Sequence, residues 1–122
     1  MGFGIGLIHL GSANLCNARQ ITAIYIEEIK GINDFHFILV VCPYLKYFKV
    51  KRLNNMNIHC VLRTILKDIK NRRTCSIRSL SFNVPAADDR TIEDLQEMII
   101  KEQLLFQFTI KRISDNIYLQ WT

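Results

Sequence analysis

One apolar frame recurs along this chain and limits the folds that it can adopt. The frame places apolar residues at the first, fourth and sixth positions of a short segment. Its clearest copy is LKYFKV, with Leu45, Phe48 and Val50, and the other copies are ITAIYI at 21–26, IRSLSF at 77–82, LFQFTI at 105–110 and IGLIHL at 5–10. From residue 21 onward the copies begin 24, 32 and 28 residues apart. Such regular recurrence is typical of proteins built from stacked repeats.

Helical patterns occupy the segments between these copies. The segment NDFHFILVVC at 33–42 is apolar and stops before Pro43, where helices usually end. The segment 57–73 has the i, i+3, i+4, i+7 apolar stripe of an amphipathic helix. For the segment 91–105 we predict that Thr91 caps a helix, with Asp94 in the reciprocal position. The order is then strand and helix in alternation, ending in a strand, and right-handed crossovers make such strands parallel.

Side chains alternate between the two faces of a strand, so the frame predicts one buried face and one open face. We expect four parallel neighbouring strands in sequential order, at about 21–27, 45–51, 77–83 and 105–111, with helices on one side only. The residues expected to be nearly inaccessible are Ile24, Ile26, Phe48, Val50, Leu80, Phe82, Phe108 and Ile110. Tyr25, Lys49, Ser81 and Thr109 should share the exposed face.

A family resemblance follows from these segments. The stretch C-P-x-L-x-x-F-x-V-x-x-L from Cys42 to Leu53 resembles the leucine-rich repeat, in the cysteine-containing variety carried by F-box proteins. The segment 21–32 fits the same frame, and 79–121 is similar to the last repeat of repeat-bearing F-box proteins, although no F-box helical segment is recognisable. The resemblance implies an α/β fold, a short leucine-rich-repeat solenoid with parallel strands on one side and helices on the other. It also implies substrate recognition for an F-box-type ubiquitin ligase.

We interpret residues 1–122 as a single leucine-rich-repeat-like domain. It would comprise a degenerate first repeat at about 1–20, repeats at about 21–104 and a C-terminal strand and hairpin cap at about 105–122. The hairpin is predicted around Ser114–Asn116, with Tyr118 and Trp121 covering the exposed end of the stack.

The leading functional hypothesis is a non-enzymatic protein-binding module that uses the open strand face. Tyrosines there would supply contact area, and lysines would select an acidic or phosphorylated segment of a protein partner. We expect no catalytic residue, no cofactor and no metal ion. The candidate partner-binding residues are Tyr25, Glu27, Tyr47, Lys49, Lys51, Ser81, Asn83, Thr109 and Lys111.

Two alternatives belong to other functional classes. The formal net charge of +5 is compatible with a small basic nucleic-acid-binding α/β domain. Its basic residues would be Arg63, Lys67, Lys70, Arg72 and Arg73, but no aromatic residues interleave with them, so nucleic acid is the weaker hypothesis. A small α/β enzyme would need polar residues that converge at the carboxyl ends of the strands. Those ends carry Glu27–Glu28, Lys51–Arg52 and Asn83, which is too diffuse a set to define a site.

The remaining candidate sites have simpler structural explanations. The four cysteines are widely spaced, and this spacing favours reduced thiols in an intracellular protein, cytoplasmic or nuclear. They also lack the closely spaced ligand pairs that are typical of zinc sites. We expect Cys60 to pack in the helix core and His59 to lie at its boundary. The Gly-rich segment 2–6 is interpreted as a first strand, and the acidic segment 86–94 as a loop and a capped helix start. No apolar run approaches the roughly 20 residues of a membrane span.

Overall fold

The computed structural model describes residues 20–29, 31–53, 56–72 and 75–122, which form a mixed α/β fold. These residues contain three helices and one five-stranded sheet. In chain order the elements are β1 (Ala23–Glu28), α1 (Ile32–Val41), β2 (Tyr47–Arg52), α2 (Ile58–Lys70), β3 (Ser79–Asn83), α3 (Asp89–Lys101), β4 (Phe108–Ile113) and β5 (Asn116–Trp121).

The first three strands lie side by side and run parallel, as the recurring frame predicts. The order of strands across the sheet is β1-β2-β3-β5-β4. Phe48 of β2 pairs with Ile24 of β1 and with Leu80 of β3, so equivalent positions of successive copies stand next to one another. This part of the predicted architecture is confirmed.

The fourth copy of the frame does not continue the series, and here the prediction was wrong. β5 lies between β3 and β4 and runs antiparallel to both, so β4 is not a neighbour of β3. The predicted hairpin does form, with its turn at Ser114 and Asp115. β5 takes the inner place because its core face carries three large apolar side chains, whereas that of β4 ends in Arg112. The three are Ile117, Leu119 and Trp121, all buried.

The core lies between one face of the sheet and the layer of helices. Six of the predicted core residues are at most 5% exposed: Ile24, Ile26, Phe48, Val50, Leu80 and Phe82. The ring of Phe35 on α1 meets that of Phe48 edge-to-face, with centroids 5.0 Å apart. α1 packs against α2, and α2 against α3, so the helices form a single layer.

Phe108 and Ile110 were also predicted to be inaccessible, but they are only partly buried. Both lie on β4, which among the described residues pairs with β5 alone. A residue on such an outer strand has sheet on one side only and is covered less completely by the helix layer. The expectation failed because it placed β4 directly beside β3.

A side-chain cap begins α2. The Asn57 Oδ1 atom accepts hydrogen bonds from the backbone N–H groups of His59, at 2.7 Å, and Cys60, at 3.3 Å. These bonds satisfy two of the donors that the first turn of a helix leaves without a partner. The apolar stripe of the helix then faces the sheet, with Val61, Leu62, Ile65, Leu66 and Ile69 buried.

A capping box begins α3, but with different residues from those predicted. Asp88 is the cap, and its Oδ1 accepts from the Thr91 N–H at 2.9 Å. Thr91 takes the reciprocal position, since its hydroxyl accepts from the Asp88 N–H at 3.3 Å. The helix therefore starts at Asp89, and it ends at Lys101 rather than near residue 105. Gln103 then turns the chain with a φ of 54°. The acidic segment is a loop and a capped helix start, as predicted.

Several predictions concern residues outside the described ranges and stay predictions. They are nearly all of the degenerate first repeat, the Gly-rich segment 2–6, Cys16 and Arg73. Among the described residues, no helix combines the length and the apolar content that crossing a membrane requires.

Candidate protein-binding surface

The face of the sheet that points away from the helices brings the predicted binding residues together. Strand pairing arranges them in rows that cross the sheet from β1 to β4. The central row contains Tyr25, Lys49, Ser81, Tyr118 and Lys111. The row nearer the start of the parallel strands contains Ala23, Tyr47, Ser79, Gln120 and Thr109. We call these two rows, together with Glu27, Lys51 and Asn83, the open face.

Three tyrosines form the aromatic part of the open face. The rings of Tyr25 and Tyr47 meet edge-to-face with their centroids 5.6 Å apart, and 46% of Tyr25 is exposed. Burial raises the pKa of the Tyr47 phenol, and the nearby Tyr25 and Tyr118 raise it further. Tyr47 therefore stays neutral near pH 7 and can both donate and accept a hydrogen bond.

Tyr118 belongs to this surface, although the sequence analysis assigned it to the cap of the stack. It pairs with Ser81 on one side and Lys111 on the other. The alternation of β5 already places residues 116, 118 and 120 on one face. Only the position of β5 next to β3 shows that this face is the open one.

Ser81 lies in the middle of the central row and is completely buried, not exposed as predicted. Its neighbours in the row, Lys49 and Tyr118, stand on either side of it. The nearby Ser81 hydroxyl opposes the rise in the pKa of Tyr47, yet its Oγ has no partner at hydrogen-bonding distance and angle among the described residues. A small side chain between two long ones is covered even on an open sheet face.

The charges of the open face are unevenly neutralised. Glu27 lies 3.8 Å from the Lys51 ammonium and 3.6 Å from the Arg52 guanidinium. Lys49 and Lys111, by contrast, form no ion pair with any carboxylate of the described residues. The unpaired positive charge therefore lies in the central row, and Lys51 contributes less of it than the sequence analysis assumed.

The candidate partner-binding residues on β3 and on β4 are further apart than expected. Asn83 donates a hydrogen bond from its Nδ2 to Asn116 Oδ1 on β5, at 3.2 Å. Thr109 and Lys111 are exposed on β4, with β5 between them and β3. At about 4.8 Å per strand, they are displaced by one strand from their predicted position. They still belong to the same face.

The basic residues of α2 have partners within the chain. Arg63 and Lys67 lie 2.9 and 3.4 Å from the Glu102 carboxylate. Lys70 donates to the Gln103 carbonyl at 2.8 Å, and Arg72 lies 3.2 Å from the Asp68 carboxylate. The contacts of Arg63, Lys67 and Lys70 link α2 to the residues just after α3, and all of these contacts together engage much of the basic set proposed for nucleic acid.

The histidines and thiols do not form a reactive or metal-binding group in the described residues. No cluster of three or more His, Cys, Asp or Glu side chains occurs there. Burial raises the pKa of the Cys42 thiol to about 11 and also raises that of Cys75, so both remain protonated near pH 7. Cys60 is exposed, which corrects its predicted place in the helix core, and His59 lies at the boundary as expected.

Comparison with protein-family models, curated proteins and solved structures finds no match to this chain.

Proposed function

We propose that this chain is a non-enzymatic protein-binding repeat module whose open face recognises an acidic or phosphorylated segment of a partner. One observation carries the proposal: the open face combines three tyrosines with two lysines that form no internal ion pair in the described residues. Tyrosine supplies a large contact area with a polar tip, and unpaired lysines favour a negatively charged partner.

We also propose that the first three strands and their helices are repeats of a short leucine-rich-repeat solenoid. Equivalent positions of successive copies are linked: the Lys46 N–H donates to the Thr22 carbonyl at 2.8 Å, and the Arg78 N–H donates to the Lys46 carbonyl at 2.9 Å. The frame residues of all three copies are buried, including the leading residues Ile21, Leu45 and Ile77. Units that stack in this way bury a shared core that none could bury alone.

The family resemblance adds a cellular role, substrate recognition for an F-box-type ubiquitin ligase. In that role the module would hold the substrate on its open face, and a separate F-box segment would contact the ligase. We expect the helix layer on the other side of the sheet to have a structural role. Its cations on and just after α2 are engaged by Glu102, Asp68 and the Gln103 carbonyl.

The same contacts weigh against the two alternatives. A nucleic-acid site would use the cations on and just after α2, but the chain's own groups already engage three of them on the helix and Arg72 after it. An enzyme site at the strand ends would use Glu27 and Asn83. These side chains bind Lys51, Arg52 and Asn116 instead, as structural pairs do.

A charge-reversal comparison tests the proposal. The immobilised chain is incubated with an array of peptides of equal length that are acidic, phosphorylated, neutral or basic. We expect acidic or phosphorylated peptides to bind, and Lys49→Glu to weaken that binding about tenfold by opposing the approach of negative charge. Lys101→Glu on α3 is the matched control, since Lys101 is equally basic, is exposed and lies on the helix layer.

Thermal unfolding of both variants shows whether they stay folded. Equal loss of binding in the two variants, or binding of basic peptides only, would contradict recognition by the open face. To test the cellular role, the chain is fused to an F-box segment, and captured proteins are examined for ubiquitylation. Capture without ubiquitylation would leave a binding module and exclude the ligase role.

A further inference from the structure

A groove of about 870 Å³ crosses the end of the sheet where β2 and β3 begin and β5 ends. Its walls are basic and aromatic: Lys46 and Arg78 supply the charge, and four aromatic side chains line it, Tyr47, Phe106, Phe108 and Trp121. None of the residues that line it is an aspartate or a glutamate. The groove overlaps the row of the open face nearer the start of the parallel strands, since Tyr47, Ser79, Thr109 and Gln120 line it. Of its charged and aromatic residues, only Tyr47 was among the candidate partner-binding residues.

The Arg78 side chain is oriented by backbone carbonyls of residues that precede it in the chain. Its Nη1 group donates to the carbonyl oxygens of Cys75, at 3.2 Å, and Ile77, at 2.7 Å. The opposite edge of the guanidinium, formed by Nε and Nη2, makes no hydrogen bond with any of the described residues. This edge carries two parallel N–H donors, the geometry that binds both oxygens of one carboxylate.

Lys46 stands directly beside Arg78. The Arg78 N–H donates to the Lys46 carbonyl at 2.9 Å, so the two residues begin neighbouring strands at the same level. Neither forms an ion pair with a carboxylate in the described part of the chain. Both side chains line the groove, so an anion bound there can interact with both positive charges.

Phe106 forms the aromatic wall and is 87% exposed, the highest value among the exposed large hydrophobic residues of the described chain. It lies in the short connection between α3 and β4, with the largely buried Trp121 also lining the groove. An exposed phenylalanine next to unpaired cations is suited to a ligand that joins an apolar side chain to a negative charge.

We propose that this groove binds an unmodified acidic peptide segment, in which an aspartate or glutamate carboxylate contacts Arg78 and Lys46 and a neighbouring apolar side chain packs on Phe106. This inference rests on the proposed function and names where the acidic partner is anchored. Charge complementarity favours a peptide over a nucleic acid, since two cations are few for a phosphate backbone. The free edge of Arg78 can hold both oxygens of one carboxylate in two parallel hydrogen bonds, and a phosphorylated peptide is the competing ligand that the test below includes.

The chain contains a single tryptophan, Trp121, which makes the groove directly observable. The probe is an amidated peptide that carries two aspartates beside one phenylalanine, titrated against the full chain while Trp121 fluorescence is recorded. The same peptide with asparagines, the same peptide with phosphoserines, and a single-stranded oligothymidine are titrated in parallel. We expect saturable binding of the aspartate peptide, and at least about tenfold weaker binding of the asparagine peptide.

Substitutions assign the binding to the groove. Arg78→Gln should weaken it about tenfold or more, because a charge-assisted pair of hydrogen bonds is lost. Lys46→Gln and Phe106→Ala should each weaken it several-fold. Both replace exposed side chains, so they keep the test decisive if Arg78→Gln fails to fold. Lys101→Gln on α3 removes an equal charge elsewhere and should leave the affinity within about twofold.

Four results would overturn the inference. The first two are no saturable change in Trp121 fluorescence with the aspartate peptide, and binding of the asparagine peptide that is as tight as that of the aspartate peptide. The other two are tighter binding of the phosphoserine peptide than of the aspartate peptide, and binding of oligothymidine alone. If Lys49→Glu abolishes peptide binding while Lys46→Gln and Arg78→Gln do not, the anchor lies on the open face outside the groove. The proposed function would then stand without this inference.

Discussion

Phe48 occupies the centre of the core, with no exposed surface and an edge-to-face contact to Phe35 of α1. Phe48→Ala removes the ring and leaves a cavity between β2 and the helix layer. We expect the free energy of unfolding to fall by about 3–5 kcal/mol. That is a large part of the stability of a small domain. Denaturant unfolding followed by circular dichroism measures the change.

Phe106→Ala is the control, because it removes the same ring from a site that is 87% exposed. It should change the unfolding free energy by roughly 0.5 kcal/mol or less. A similar loss of unfolding free energy in both variants would contradict the structure, because it would mean that the two rings are equally buried.

Ser81 presents the opposite case, a buried hydroxyl on an otherwise open face that finds no hydrogen-bond partner in the described part of the chain. Ser81→Ala removes the hydroxyl and leaves no buried donor unsatisfied. We therefore expect it to be neutral or to stabilise the protein by about 1 kcal/mol. Denaturant unfolding is the measurement, with Ser79→Ala on the same strand as the comparison. A loss of more than about 1 kcal/mol would show that the Ser81 hydroxyl bonds a neighbour such as Tyr47.

At the scale of elements, the start of α2 depends on Asn57. Asn57→Ala removes the acceptor for two backbone N–H groups, and we expect it to cost about 1 kcal/mol of stability. Asn71→Ala at the other end of α2 serves as the control, since the structure shows the Asn71 backbone N–H, not its side chain, in hydrogen bonds. If the two substitutions cost the same, the cap does not contribute.

Asp88 gives α3 a dependence on pH. The hydrogen bonds from the Thr91 backbone and hydroxyl hold the pKa of the Asp88 carboxyl below its ordinary value. The unfolded chain then takes up this proton at a higher pH than the folded one. The stabilisation is present above the ordinary aspartate pKa of about 3.9 and is lost as the pH falls through the lower folded value.

We expect the thermal midpoint of the wild type to fall more steeply below about pH 4 than that of Asp88→Asn, which cannot titrate. Calorimetry at pH 5, 4 and 3 compares the two proteins. Asp94→Asn on the same helix is the control, because Asp94 is exposed and no hydrogen bond to its side chain is seen among the described residues. Parallel curves for all three proteins would contradict the role of the cap.

The elements also show how far the sequence could predict the fold. The stripe at 57–73 and the apolar segment at 33–42 predict α2 and α1 closely, because a helix that packs on one side repeats its apolar residues every three or four positions. The start of α3 was misplaced because Asp88 and Thr91 can each cap a helix, and the local sequence does not decide between them.

For the whole molecule, the C-terminal hairpin completes the sheet. β5 pairs along the full length of β3 and buries Ile117, Leu119 and Trp121 against the core. A chain truncated after Leu104 would expose the edge of β3 and the apolar residues beneath it. We expect this chain to lose its cooperative thermal transition and to aggregate, as unprotected sheet edges do.

Ile113→Ala tests the hairpin without removing it, since Ile113 is 53% exposed at the tip of β4. Its thermal transition should stay sharp and close to that of the wild type. A truncated chain that unfolds as cooperatively as the full one would show that the three parallel units are stable alone.

The sequence by itself determined which residues of the three parallel copies enter the core. Ile24, Phe48 and Leu80 recur in a fixed frame, and alternation along a strand leaves one face for apolar side chains. It also determined that tyrosine and lysine share the other face. Both results depend only on the spacing of residues that are close together in the sequence.

Only the tertiary structure decided the order of β5 and β4 and the pairing of the charges. β5 lies next to β3 because Ile117 and Leu119 complete the core better than the side chains of β4, and this competition involves residues more than 30 positions apart. For the same reason the sequence could not show that Glu27 engages Lys51, or that Arg78 and Lys46 lie at the same level of the sheet with no ion pair to a described carboxylate. Long-range pairing depends on which surfaces meet after folding, and local spacing does not encode it.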